Sequence, residues 1–499
     1  MPEYIKAYVV IIFLSSFAFY FAKKSTAIIL TTSQFNQLRN AWFTITTLAF
    51  FSVNFWIFLS ITALFLAYHA KKSSHPIALY MAIIAAAPPI WAIIPGFGLV
   101  NRIMQIDYLL VLSISLLLIQ YFKIKSSEFP FGQVKTDYCV LAYFLVNVGI
   151  LFTMTTPTDL IRETLVMFLA MFLPYYVVSR KVQDTTQLQT VIAAFMITCF
   201  PAALIGFFEA GKGWLLYTAV QPALGIEWEF GGYLHRDGLL RASSSFGHSL
   251  VFAFAMVVGL GFYLYLHSVI KNKLYKLAGL GLILLGVIAP LSRGPWLGAA
   301  MLVCVYLYLG RNGVSNLFKL AFASAVVFAF LLVSPIAHKV INLLPFIGKT
   351  DQFNADYREQ LFETSIVVAG KNPWFGNPEF AKDPDMKELF QGEKIIDLVN
   401  IYISVLLNSG YVGLIFYVGM FITALRLAYV GMKKIRNVDA NLFQLGRALI
   451  ATLISIMFMI AGVGDILIIP YLYYIVIGLC VAYSQIVKKE ITKATLELA

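Results

Sequence analysis

Charge is scarce in this chain: of 499 residues only 12% are Asp, Glu, Lys or Arg, while 60% are apolar. A soluble domain carries about twice that share of charge, so a water-soluble enzyme is excluded. Cysteine is scarcer still. Cys139, Cys199, Cys304 and Cys480 all fall inside apolar runs without Cys-x-x-Cys spacing, which leaves no disulfide framework and no cysteine metal site, only packing residues. There is no P-loop, no His-Glu-x-x-His helix and no Ser-His-Asp order, so ATP use and zinc catalysis have no footing and no cofactor is expected. Repeats of 20 to 50 residues, low-complexity tracts and a basic arm are also absent. The apolar runs hold almost no ionisable groups beyond Glu163, Lys276 and Lys319 near their ends. An ion-coupled pump needs intramembrane acids or histidines as relays, so chemistry at a membrane rim is the better expectation. The first run lacks a basic lead and a small-residue cleavage site before Lys23 and reads as an uncleaved anchor.

What is present is apolar sequence in span-sized pieces. At roughly 20 residues per crossing the runs, among them 6 to 22, 43 to 66, 76 to 95 and 106 to 122, predict an all-α, polytopic transmembrane helix bundle of about 13 to 14 spans. The net charge of +12 is not a nucleic-acid signal, because its location is segregated. Residues 209–247 and 336–398 together hold 14 acids against 10 bases; the remainder holds 27 bases against 11 acids, gathered in short loops such as Lys71-Lys72, Lys123 to Lys125, Arg180-Lys181, Lys271 to Lys276 and Lys433 to Arg436. Positive-inside segregation puts those loops and both termini in the cytoplasm and the two acidic segments on the outer face. One loop disagrees, because Lys23, Lys24 and Arg39 would then lie outside: either it is an exception to a statistical rule, or the first segment is oriented differently and the count is 13. The chain divides into N-terminal spans (1–208), an outer loop (209–247), central spans (248–335), a large outer loop subdomain (336–410), and C-terminal spans with a cytoplasmic tail (411–499). The long loop carries Pro-Phe-Ile-Gly at 345–348 and a breaker run, Asn372-Pro373-Trp374-Phe375-Gly376. Its length marks it as functional rather than a connector.

Arginines on an outer face run against the positive-inside bias and are informative for that reason. Arg236 stands in His235-Arg236-Asp237, Arg241 follows, Arg293 lies in Leu291-Ser292-Arg293-Gly294-Pro295-Trp296, and Arg358 in Asp356-Tyr357-Arg358-Glu359. A planar fork of five permanent donors suits phosphate oxygens. At Arg293, Ser292 as a cap and Pro295 in the first turn would add helix N-terminal amides to an anion site. Snorkelling to headgroups, or pairing with a neighbouring acid, is the competing use of each arginine. His248, His338, Asp351, Asp356, Glu363, Asp397 and Asp465 are the groups on that face able to take a proton from an acceptor hydroxyl, and for each a solvated or salt-bridged side chain is the plainer alternative. Asp383-Pro384-Asp385 has the look of a two-acid metal clamp, but the chain offers no α/β domain to hold a nucleotide.

In this order, these blocks resemble the O-antigen ligase and Wzy-type O-antigen polymerase superfamily of bacterial inner membranes. The blocks are Arg241 to His248, Leu291 to Gly298, and the stretch from Arg358 through Asn372 to Gly376 and on to Asn400, Gly410 and Gly413. The resemblance covers roughly 200–430. It implies metal-independent, nucleotide-independent glycosyl transfer at the periplasmic face of the inner membrane, from a glycan on undecaprenyl pyrophosphate to a second lipid-linked glycan or to lipid A core. Arg236, Arg241, His248, Arg293, Arg358 and Asn400 would then bind substrate. A chain-length regulator and membrane lipids would be further partners. Ligases of the family carry a histidine where this chain has Val399, followed by Asn400 and, after nine residues, Gly410. Valine accepts no proton, which favours a polymerase over a ligase: either another base substitutes, Asp397 first with Asp356 and Glu363 behind it, or the transfer needs little base assistance. Asp397 serves only if the following helix starts after about 398, because two residues apart on a helix face opposite ways. A lipid-linked glycan flippase, another transporter, or a scaffold with a dead site are the alternatives from other classes.

Overall fold

A computed structural model describes the chain apart from residues 74, 97, 99, 100, 125–128, 228–231, 237, 334–351, 391–395 and 499. The expectations attached to Asp237, His338, Asp351 and the turn at 345–348 lie outside the described residues. The chain is an all-α bundle: among the described residues nine helices are long and apolar enough to cross a membrane. It is an integral membrane protein.

α1 (Glu3–Thr26) and α2 (Thr32–Phe51) are antiparallel, α2 opening on a capping box between Thr31 and Gln34. Tyr8 near the start of α1 packs on Phe50 and Phe51, while Phe19 near its end packs on Phe35 and Trp42. Phe50 in turn meets Tyr217, in the segment that follows α8 (Thr185–Lys212). α1 therefore starts at the end of the bundle that carries the long loops, and Lys23 and Lys24 sit at the opposite, basic end. The expectation of a first segment beginning with the basic loops is corrected, and the one discordant loop disappears with it.

The run 43–66 is two helices, not one span. It breaks at Ser52-Val53-Asn54, where Val53 takes a left-handed φ of 61° and Asn54 caps α3 (Phe55–Lys72) by accepting the Trp56 N–H. The run 76–95 is likewise not a span. α4 (Pro76–Ile83) stops after two turns, and the chain continues through Pro88 and Pro89 into a hairpin of β1 (Trp91–Pro95) and β2 (Arg102–Asp107). Carbonyls released inside an apolar bundle need donors. They have them: Thr198 donates to the Met81 and Ala82 carbonyls, Tyr108 to Ile83, Ser245 to Ala85 and Thr46 to Ala86, at 2.5 to 3.0 Å.

α5 (Tyr108–Tyr121) and α7 (Pro157–Lys181) each contain a π-helical turn, with α6 (Lys135–Met154) between them. Asp137 and Arg180 form a buried pair at 2.6 Å, completed by Tyr175 and the Gly132 amide. α8 ends on Gly213 at φ 65°. α9 (Ser249–Val269), α10 (Lys273–Ile288), α11 (Arg293–Tyr308) and α12 (Gly313–Val333) follow, then the loop helix α13 (Gln352–Lys371), and α14 (Ile401–Ile435), α15 (Ala440–Met459) and α16 (Ile469–Leu498) complete the chain.

The long loop is tied to α14 by a reciprocal clasp. Gly410 breaks α14 at φ 63°, and the Pro373 and Trp374 carbonyls accept the freed amides of Tyr411 and Val412. A Cβ on Gly410 would lie 2.4 Å from the Trp374 backbone, and one on Gly376 2.5 Å from the Leu407 carbonyl. The breaker run thus inserts into the break of the returning helix, and Ile403 and Leu407 join Leu361, Val368, Met386 and Leu389 in a small separate core. Lys371 bridges Asp383 and Asp385 at 2.7 and 2.9 Å, so its ammonium stands between the two carboxylates that resemble a metal clamp.

Candidate functional site

At the loop end, the turn joining α10 to α11 is wrapped by the segment leading into α9. A short hairpin, β3 (His235–Arg236) with β4 (Leu239–Leu240), delivers two arginines to that turn. Arg236 donates to the Leu291 carbonyl; Arg241 donates through Nε to the Pro290 carbonyl at 3.1 Å and through its terminal nitrogen to Ser292 Oγ at 2.8 Å. Leu291 holds a left-handed φ of 50°, which turns the chain so that α11 begins at Arg293. Ser292 occupies the capping position without making a side-chain cap bond, because its hydroxyl serves Arg241 and Pro290 instead. The expected Ser292 cap is therefore corrected: the positive end of α11, headed by Arg293, opens beside two guanidinium groups. His248 caps α9 through Nδ1, accepting the Leu250 N–H at 3.2 Å. Burial, reinforced by the Arg241 charge, lowers its pKa to about 4, so it is neutral at physiological pH.

The segment 241–247 is held by a residue that sequence reading passed over. Glu209, fully buried in the last turns of α8, accepts the backbone N–H groups of Leu216, Ser243 and Ser244 at 2.8 to 3.2 Å. An acid closing a long apolar run was the available signal.

Arg358 is placed differently from the other arginines. It is exposed on α13, beside Asp397, whose backbone is pinned at both N–H and carbonyl by the Tyr357 hydroxyl. Partial desolvation raises the Asp397 pKa and the Arg358 charge opposes the rise. Residues 396–400 are not helical, α14 starts at Ile401, and Asn400 caps it by accepting the Ile403 N–H. Asp356 and Glu363 are exposed on α13.

The end of α15 touches both groups. Near its base, Ser455 donates to the Gly298 carbonyl of α11 at 2.7 Å, and a Cβ on Gly298 would meet Met459 at 2.4 Å. Beyond it, the Ile460 carbonyl accepts the Ile401 N–H, and Gly464 lies against the Leu398 carbonyl. Asp465 is thereby brought next to the segment holding Val399. Its carboxylate accepts from Tyr473 at 3.2 Å, with Tyr143, Tyr417 and Tyr474 nearby. It is exposed to solvent, and desolvation by the protein around it raises its pKa to about 6.

The fold and this end of it define a polytopic membrane protein that presents a guanidinium-lined helix start and nearby carboxylates at the bundle rim. Residues 278–418 match the O-Antigen ligase family model, so this part of the chain is similar to that family. The match spans α11, the clasp and the start of α14, and so includes Arg293, Arg358, Asp397, Asn400 and Gly410. No curated protein matches the chain.

Proposed function

We propose that the protein transfers a glycan from undecaprenyl pyrophosphate to an acceptor hydroxyl on the periplasmic face of the bacterial inner membrane, as a polymerase of O-antigen or exopolysaccharide. The observation that carries this reading is the turn at 290–293, where Arg236, Arg241 and the start of α11 gather donors around one place. As the acceptor oxygen bonds to the anomeric carbon, the anomeric carbon–oxygen bond to pyrophosphate breaks and its electron pair leaves with the phosphate. The guanidinium charges and the positive end of α11 gathered there favour the growing negative charge. The acceptor proton goes to a carboxylate; Asp465 and Asp397 flank Val399, and we assign the role to Asp465 because it follows directly on the end of α15, which also supports α11. Arg358, Asp397 and Asn400 then serve the glycan side, and the apolar bundle holds the polyprenyl tail.

Val399 in place of the family histidine favours polymerase over ligase. Purified protein offered one donor together with either a second lipid-linked repeat unit or lipid A core is expected to lengthen the former and leave the latter unmodified. Transfer to lipid A core alone would make it a ligase, and transfer to neither would remove the proposal.

A further inference from the structure

A second concentration of cations lies at the opposite end of the bundle, far along the chain from the groups described above. The start of α6, the latter half of α14 and the latter half of α16 border a cavity of about 790 Å³. Lys135, Arg426, Lys434 and Lys488 line it, and no Asp or Glu does. None of these four cations has an ion-pair partner among the described residues. The remaining wall is largely apolar, from Ile422 and Leu427 to Val487 and Ile491.

The two kinds of lining are ordered along α14. Ile422 and Lys434 are twelve residues apart, roughly 18 Å of helix at 1.5 Å per residue, with Lys434 toward the basic end. One helical repeat before Ile422, Ile415 is also exposed, so the apolar track continues on the same face into the bundle's membrane-facing surface. A soluble anion would be satisfied by the cations alone and has no use for such a track. An acidic protein segment would likewise leave it uncovered. An amphiphile with an anionic head and hydrocarbon tails satisfies both. Unpaired cations grouped between helix ends at a membrane surface are the setting in which anionic headgroups bind.

We propose that this cavity is a binding site for an anionic phospholipid of the leaflet at the basic end, its phosphate among Lys135, Arg426, Lys434 and Lys488 and its acyl chains along Ile422 and Ile415. The lipid bridges α6, α14 and α16. It is independent of the transfer reaction and of the acceptor.

The test uses the purified full chain, delipidated in neutral detergent and returned to vesicles of phosphatidylcholine with or without phosphatidylglycerol. Native mass spectrometry is expected to retain a phosphatidylglycerol, and thermal unfolding is expected at higher temperature with it than with phosphatidylcholine alone. Each cation near an anionic surface is worth about a fivefold change in affinity, so the triple substitution Arg426→Gln, Lys434→Gln, Lys488→Gln should weaken retention on the order of 100-fold. Lys434→Arg with Lys488→Arg should retain it, which separates lost charge from lost folding. Equal stabilisation by inorganic pyrophosphate would make the cavity a soluble-anion site and overturn the proposal. Equal stabilisation by phosphatidylcholine, or full retention by the triple variant, would overturn it as well.

Discussion

Asp465→Asn is expected to lower turnover by about 10² to 10⁴-fold, the usual contribution of a positioned general base. Asparagine keeps an acceptor for the Tyr473 hydroxyl, so the end of α15 and the start of α16 should stay in place while the proton acceptor is lost. Donor binding and thermal stability should therefore be unchanged. The pH profile gives a second readout. Desolvation by the surrounding protein raises the carboxylate to about 6, and a base works only when deprotonated, so wild-type turnover should climb as pH rises through about 6. The tyrosines facing it, Tyr143, Tyr417, Tyr473 and Tyr474, add no positive charge that would move this limb down. Asp397→Asn made in parallel decides between the two acids: if it abolishes turnover while Asp465→Asn does not, the assignment passes to Asp397.

Removing the anion donors is the second large effect. Hydrogen bonds to charged groups contribute about 1.5 to 3 kcal/mol each, so Arg241→Ala and Arg293→Ala should each cost roughly 10 to 100-fold in turnover. The loss should fall on kcat more than on KM, because the leaving-group charge grows only as the anomeric bond breaks. Arg241→Lys should not rescue. One ammonium cannot donate to the Pro290 carbonyl and Ser292 Oγ in the parallel manner of the guanidinium, so the turn that opens α11 would lose a support along with a donor. Arg358→Ala is expected to act differently, raising KM through the glycan side, since its neighbour is Asp397 and not the 290–293 turn. Full activity in both alanine variants at 241 and 293 would remove the turn from the mechanism.

Much of this was legible in one dimension. Hydropathy gives a membrane bundle, and the arginines singled out for their setting include those now found at one turn. Hydropathy failed where it measures the wrong quantity. Ser52-Val53-Asn54 is too short to interrupt an apolar average, yet a left-handed Val53 and an Asn54 cap divide the run into two helices. Residues 84–95 stay apolar while ceasing to be helical, which the bundle tolerates because Thr46, Thr198 and Ser245 supply donors from far along the chain. Gly410 and Gly376 were visible as glycines, but their necessity comes from a backbone approach between segments more than thirty residues apart. Glu209 and Asp465 each look like an ordinary acid at the end of an apolar run. What distinguishes them is what the fold brings beside them: the amides of 243 and 244 for one, the Leu398–Asn400 segment for the other.

If a polyprenyl-pyrophosphate glycan is the donor, its pyrophosphate leaves from the arginine turn without help from metal or nucleotide. Release of undecaprenyl pyrophosphate can be followed with purified protein given a lipid-linked repeat unit in chelator-containing, nucleotide-free buffer. One undecaprenyl pyrophosphate released per glycan unit transferred, with the rate lost in the Arg241→Ala, Arg293→Ala double variant, is the predicted result. Transfer that requires added divalent metal or a nucleotide sugar, or that survives the double variant at the wild-type rate, would contradict it.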